Sequence, residues 1–167
     1  MISIVDILDW IGRVTSIIFL LTLAYGIYAW FRGILPALIR LGKGLSERKI
    51  AIFAKGDHLR GLENLLLDSK LFAKRNMIDI SAESDFGRAE QATLFLIFWH
   101  DWQDKITEIL NAKKDHTALV VYAPQELGFI PPDKLKELNG KRNTIVVNFR
   151  GRLLNDIVVS LITTNDQ

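Results

Sequence analysis

The 167-residue chain contains no cysteine, which excludes disulfides, thiolate nucleophiles and thiolate zinc sites. Its three histidines, His58, His100 and His116, are too scattered to mark a metal-binding cluster. Prolines number four, and no Pro- or Gly-rich low-complexity tract or internal repeat interrupts the pattern. Charge of one sign is also scarce: the formal net charge is only +2, which gives no general case for duplex nucleic acid as a partner. Apolar residues make up 49% of the chain and charged residues 24%, a globular rather than a disordered balance.

Charge is distributed unevenly along the first fifty residues. Between Arg13 and Arg32 runs VTSIIFLLTLAYGIYAWF, 18 residues without a charge. As a helix it would extend about 27 Å, close to the ~30 Å of a bilayer's hydrocarbon core. Tyr25, Tyr28 and Trp30 crowd its C-terminal end as an interfacial aromatic belt does. Asp6, Asp9 and Arg13 precede it, whereas Arg32, Arg40, Lys43, Arg48 and Lys49 follow it, opposed by Glu47. The acidic start and the lack of a small-residue cleavage site argue against a cleaved signal peptide. The sequence therefore predicts a membrane anchor over residues 1–47, with a single span at about 14–31. A juxtamembrane helix is expected at about 33–45, set off by Pro36, with Arg40 and Lys43 near anionic headgroups and a joint at Gly42 and Gly44. The positive flank places the N-terminus outside a bacterial-type inner (plasma) membrane and the rest in the cytoplasm. Thr15, Ser16, Thr22 and Gly26 are small enough to line helix–helix contacts, so a homo-oligomer in the bilayer is expected.

Residues 48–167 read as one soluble domain. KIAIFA (49–54), MIDIS (77–81), TLFLIFW (93–99), ALVVYA (118–123) and TIVVNF (144–149) are short apolar runs of the kind that form strands. Helical patterns separate them: 58–72 with Leu59, Leu62, Leu65, Leu66 and Leu71 in a stripe, a turn around DFGRAEQA, then 102–114, 131–140 and a final helix. This alternation predicts an α/β fold, a five-stranded parallel sheet of order 2-1-3-4-5 in a three-layer, Rossmann-like sandwich of the flavodoxin or TIR type. MIDIS is placed near an edge because Asp79 interrupts it, and TLFLIFW at the centre.

In such a sheet every strand's carboxyl end meets the same edge, where ligands bind. The loops gathered there supply Lys55, Gly56, Asp57, His58 and Arg60, then Ser81 and Glu83. They continue with His100, Asp101 and Trp102, Gln125, and Arg150, Gly151 and Arg152. Lysine and arginine there suit phosphate, and the two glycines suit either close backbone approach or tight turns. Trp102 or His100 would stack on a base, or Trp102 would pack under a loop. Asp57 and His58 are alternatively helix-capping residues, and Arg152 with Asp156 a surface ion pair. A phosphate-bearing, nucleotide-type ligand is the expectation, with no cofactor motif, since neither G-x-G-x-x-G nor a Walker loop is present. Asp101 occupies the place of a receiver-domain phosphoacceptor, but the first strand lacks paired acids and the fourth ends in Ala123-Pro124 without a hydroxyl, which excludes a phosphorelay receiver.

Taken together, the single span followed by this Rossmann-like pattern resembles the small membrane effectors of prokaryotic antiphage immunity. In that group a TIR-like or CRISPR-associated Rossmann domain senses a nucleotide second messenger and the membrane part disturbs the bilayer. The resemblance implies a sensor or effector, without turnover, whose ligand controls oligomerisation of the membrane helix, with KGDH in the place that touches an oligoadenylate. It also implies a rival. TLFLIFW and DWQDKITEIL follow the strand–helix order of TIR domains, whose NAD hydrolases carry a catalytic glutamate one turn after a tryptophan. Here Ile106 stands four places after Trp102 and the nearest glutamate is Glu108, so an NAD or nucleotide hydrolase would draw on Glu83, Asp101 or Glu108. A third reading is a membrane scaffold that docks a protein partner at the polar edge.

The absence of cysteine permits a clean topology test. In intact cells a membrane-impermeant maleimide should label Ser3→Cys and leave Asn165→Cys unlabelled until the cells are opened. The opposite pattern would put the soluble domain outside.

Overall fold

The computed structural model describes residues 4–164, except the side chains of residues 4–7, 37, 40, 41 and 43–46. The chain divides into two compact units, Met1–Gly42 and Lys43–Gln167. The expected placements of the Arg40 and Lys43 side chains, and that of Asp6, fall outside the described set.

Helix α1 (Ile4–Glu47) is unbroken and contains Pro36, where the sequence predicts an interruption and a second helix. Proline removes one donor and crowds the preceding turn, yet helices that cross membranes tolerate it when neighbouring groups absorb the loss. Gly42 and Gly44 likewise lie within α1 rather than forming a joint outside it. Its segment Leu8–Pro36, 29 residues with mean hydropathy 1.8 and no buried part, is long and apolar enough to span a bilayer. Trp10 and Trp30, both exposed, stand 20 residues apart on it, about 30 Å at 1.5 Å per residue. That spacing adds an N-terminal aromatic to the belt read from the C-terminal end. Several polar groups on the helix are satisfied within it. Arg13 pairs with Asp9 at 2.7 Å, Arg32 donates to the Tyr28 hydroxyl, and Thr15, Ser16 and Thr22 donate to the carbonyls of Ile11, Gly12 and Ile18.

In the soluble unit, strands β1 (Ile50–Phe53), β2 (Met77–Ile80), β3 (Leu94–Phe98), β4 (Ala118–Tyr122) and β5 (Thr144–Val147) form one sheet. Their order is β2-β1-β3-β4-β5 and every pairing is parallel. The α/β, Rossmann-like architecture expected from the alternation is therefore present, with β3 at the centre and β2 at an edge. Each strand residue in β1, β3 and β4 is buried because both faces of the sheet are covered.

Alternate side chains enter two cores. On one face Ile50, Ile52, Leu94, Leu96 and Val120 pack with Leu62 and Leu66 of helix α2 (Gly56–Asp68). Leu153, Ile157 and Leu161 of the last helix close the same core. The other face holds Phe53, Phe95, Ile97 and Val121. It is covered by α3 (Phe86–Ala89), α4 (Trp99–Trp102), α5 (Ile106–Ala112) and α6 (Pro132–Asn139). The last helix, α7, runs Arg150–Thr163. Of the 102–114 helix read from sequence, Trp102 closes α4, Gln103–Lys105 form a 3-10 turn, and only Ile106–Ala112 form the helix α5. Leu71 drops out of the α2 stripe, since α2 ends at Asp68 and Leu71 is exposed.

The chain enters the sheet through a fixed connection. Arg48, the first residue beyond α1, donates from Nη1 to the carbonyls of Leu161 and, at 2.6 Å, Thr164. These are orphan acceptors at the end of α7, so the guanidinium works as a C-terminal cap. Asn76 Nδ2 donates to the Arg48 carbonyl at 3.1 Å, and the Lys49 carbonyl accepts from the Thr93 amide at 2.9 Å.

Leu96→Ala, at the centre of the buried sheet, should lower the unfolding free energy by about 2–5 kcal/mol in denaturant titration. Leu71→Ala should change it by less than about 0.5 kcal/mol.

Candidate functional site

The chain leaves β1 for β2 on one side, then returns past β1 to β3 and continues outward. The direction of winding reverses between β1 and β3, and the crevice at their carboxyl ends is the place where parallel sheets bind ligands. What the fold assembles in that crevice is a carboxylate with two donors. Asp101 Oδ2 accepts the Lys55 amide at 2.7 Å, across the β1–β3 boundary. His58 Nδ1 lies 3.0 Å from Oδ1 and 3.2 Å from Oδ2 of the same carboxylate. The aspartate side chain is only 12% exposed, whereas that of His58 is 42% exposed.

Local structure explains the geometry. Gly56 opens α2 with φ of +51°, a left-handed conformation that disfavours a side chain even though the space around it is open. That turn brings His58 over the end of β3, where its ring stacks on Phe98 at 4.0 Å and 13°. Phe98 in turn meets Tyr122, at the end of β4, edge-on at 5.7 Å. Burial pushes the Tyr122 hydroxyl's pKa up, with the Arg150 guanidinium opposing and Glu126 reinforcing the shift. Arg150 reaches back across the sheet and donates from Nη2 to the Gly61 carbonyl at 3.0 Å. One contiguous group therefore runs from Asp101 through His58 and Phe98 to Tyr122, and Arg150 is tied to the same helix as His58 through Gly61.

Several expected site residues take other roles. Trp102 is 2% exposed and packs against Phe53 and Phe86, so it belongs to the core and offers no open face to a base. The Lys55 ammonium sits 4.8 Å from its ring centroid, a cation–π contact that holds this lysine at the edge. The indole Nε1 is buried with no hydrogen-bond partner. Asp57 pairs with Arg60 at 2.5 Å on the exposed side of α2, which ties up both. Together with Asp101 on the Lys55 amide, that acid leaves the first-turn amides of α2 poorly placed to hold a phosphate themselves, so an anion would rely on side-chain donors. Arg150, Gly151 and Arg152 are the first turn of α7, not the strand-to-helix turn itself, and Gly151 makes no left-handed turn. The start of α7 has no side-chain cap and no acidic residue, and Arg152 is exposed. Asp156, the expected partner of Arg152, accepts instead from Asn155 at 3.4 Å. Ser81 on its loop, His100 in α4 and Gln125 at the start of a 3-10 turn are all exposed.

The acidic candidates also separate. Glu83 and Glu108 both bind Lys105, at 3.2 Å and 3.0 Å, on the protein surface. Neither makes a hydrogen bond or ion pair with Asp101 or His58. Hydrogen bonds that Lys105 donates to Glu108 and then Glu83 raise its pKa. The stabilisation it brings is full below a lysine's ordinary value of ~10.4 and is lost as pH rises through the folded value. Among the described residues no group of three or more His, Cys, Asp or Glu is arranged to hold a metal ion. Sequence reading named His58 and Asp101 separately but did not pair them. Their 43-residue separation carries no local signal, and only the parallel pairing of β1 with β3 closes it.

Asp101→Ala should cost about 1–3 kcal/mol in thermal or denaturant unfolding, because it leaves the Lys55 amide without its acceptor. Glu108→Gln, at the exposed ion cluster, should be close to neutral in the same assay. Compared with family models, with curated proteins and with solved structures, the chain matches none.

Proposed function

We propose that this chain is a membrane-anchored sensor or effector in which α1 spans the bilayer and the cytoplasmic Rossmann-like domain binds a nucleotide-derived anion at its carboxyl edge. The observation that carries this reading is the position of α7. It starts at the carboxyl edge with Arg150 and Arg152, uncapped and without an acid. Its last turn is held by Arg48, the first residue past the anchor helix. A helix of 14 residues, about 21 Å long, thus joins the proposed ligand edge to the connection with α1.

Two arginines at the positive end of a helix repel the helix dipole and each other, a local cost that an anion would offset. A phosphate that draws Arg150 from the Gly61 carbonyl would favour a different seating of α7. The difference in affinity for the two seatings sets how far the equilibrium moves. The output is self-association of α1. Close packing is most available at Thr22 and Gly26, which line a shallow apolar hollow with Phe19, Leu23, Ile27 and Trp30. A role in antiviral defence is the setting implied by the architecture it resembles. A scaffold that docks a protein partner at the same edge is the competing non-enzymatic account.

Cyclic nucleotides and short oligonucleotides titrated into the detergent-solubilised full chain test the reading. Binding should weaken at least about tenfold, or 1.4 kcal/mol, in Arg150→Ala. Ligand should also shift α1 crosslinking between copies in liposomes. No binding by any member of the panel, or binding indifferent to Arg150, would discard it; stoichiometric capture of one protein without a small ligand would favour the scaffold.

A further inference from the structure

We propose that His58 is a general base for hydrolysis of a phosphate ester at this edge, with Asp101 as its positioning residue and Arg150 as the group that holds an anionic oxygen. The inference rests on the reading that the edge accepts a phosphate-bearing ligand, and it adds chemistry to it.

The argument begins with proton placement. Asp101 accepts at both oxygens, so the hydrogen between it and His58 sits on Nδ1. In the neutral ring Nε2 then carries the lone pair, and no hydrogen bond occupies it among the described residues. The ring is held at two points, by the carboxylate and by the Phe98 face it stacks on at 4.0 Å. The side chain is nevertheless 42% exposed, so a water or ligand can reach it. An imidazole with a fixed tautomer, a fixed plane and an accessible acceptor nitrogen is what general-base catalysis requires.

Arg150 supplies the second component. It donates to the carbonyl of Gly61, three residues beyond His58 on α2. His58 and Gly61 lie within one turn of α2, so Arg150 is tied to the helix turn that carries the base. The guanidinium spends Nη2 on that carbonyl and retains other N–H groups for a phosphoryl oxygen. The reaction is balanced without another reagent. A water oxygen attacks phosphorus while its proton passes to His58 Nε2. The bond from phosphorus to the leaving oxygen breaks, its electron pair stays on that oxygen, and the proton on His58 is returned to the leaving group or to solvent. A diester plus water becomes a monoester plus an alcohol.

The convergence of two donors on one carboxylate makes Asp101→Asn informative. Asparagine has a single acceptor oxygen. If it accepts the Lys55 amide, its NH2 must face His58 Nδ1, which forces the ring proton to Nε2 and removes the base. A residue that served only as a structural tie would show the stability change and the tautomer reversal with no loss of kcat.

The test uses the full chain in detergent with bis(p-nitrophenyl) phosphate and p-nitrophenyl phosphate as probes, to separate diester from monoester hydrolysis. Binding of each is measured independently by competition with inorganic phosphate. Release of p-nitrophenol by the wild type should fall about 10²–10⁴-fold in kcat in His58→Gln. Asp101→Asn should show a similar loss with KM little changed. Long-range 1H–15N correlation spectra should report the Nδ1–H tautomer of His58 in the wild type and the Nε2–H tautomer in Asp101→Asn. Phosphate binding without hydrolysis of either ester, or hydrolysis that survives His58→Gln, would overturn the base and leave the anion-binding edge standing. Failure of phosphate and both esters to bind would overturn the two together. An Asp101→Asn ring that keeps Nδ1–H would overturn the positioning role.

Discussion

Burial of β1, β3 and β4 on both faces is the constraint from which the rest of the soluble unit follows. Fully buried parallel strands need a helix to carry the chain back between each pair, and that helix must cover the face it crosses. Every strand then ends on one side, and the polar residues that cannot enter the core collect there. Ile50, Ile52, Leu94, Leu96 and Val120 on one face, and Phe53, Phe95, Ile97 and Val121 on the other, divide α2 and α7 from α3 to α6. The polar edge is a consequence of that packing rather than a separate device.

Within that edge the reversal of winding between β1 and β3 selects one spot. Asp101 lies there because it follows the central strand, and it bonds the first residue pairings available from the β1 loop. The carboxylate accepts the Lys55 amide at the entrance to α2 and pairs with Nδ1 of His58. Phe98 and Tyr122 floor the group with apolar surface, and Arg150 spans from α7 to α2. The opposite, amino-terminal edge carries the structural connection, where Arg48 caps α7 and the Arg48 and Lys49 carbonyls are both bonded into the domain.

Particular residues show how far pattern alone could reach. The 18-residue uncharged run, the aromatic belt and the strand–helix alternation were legible because hydrophobic periodicity is local, and burial follows from it directly. The reading faltered at Pro36, Leu71 and Trp102, where context overrides a local rule. Proline was treated as a break although α1 passes through it. Leu71 was assigned to a stripe that ends three residues earlier, at Asp68. Trp102 was offered to a ligand or to packing, and the three-dimensional fit with Phe53 and Phe86 settles it as packing.

The sequence by itself determined which segments are apolar, in what order strands and helices alternate, and hence that the polar loops share an edge. These are properties of neighbours along the chain. Only the tertiary structure decided which polar groups touch. Register and strand order bring Lys55, His58 and Asp101 together from positions 43 to 46 residues apart, and they send Glu83 and Glu108 to Lys105 instead. A hydrogen bond depends on distances of a few tenths of an ångström, and no periodicity encodes those for residues so far apart in the chain.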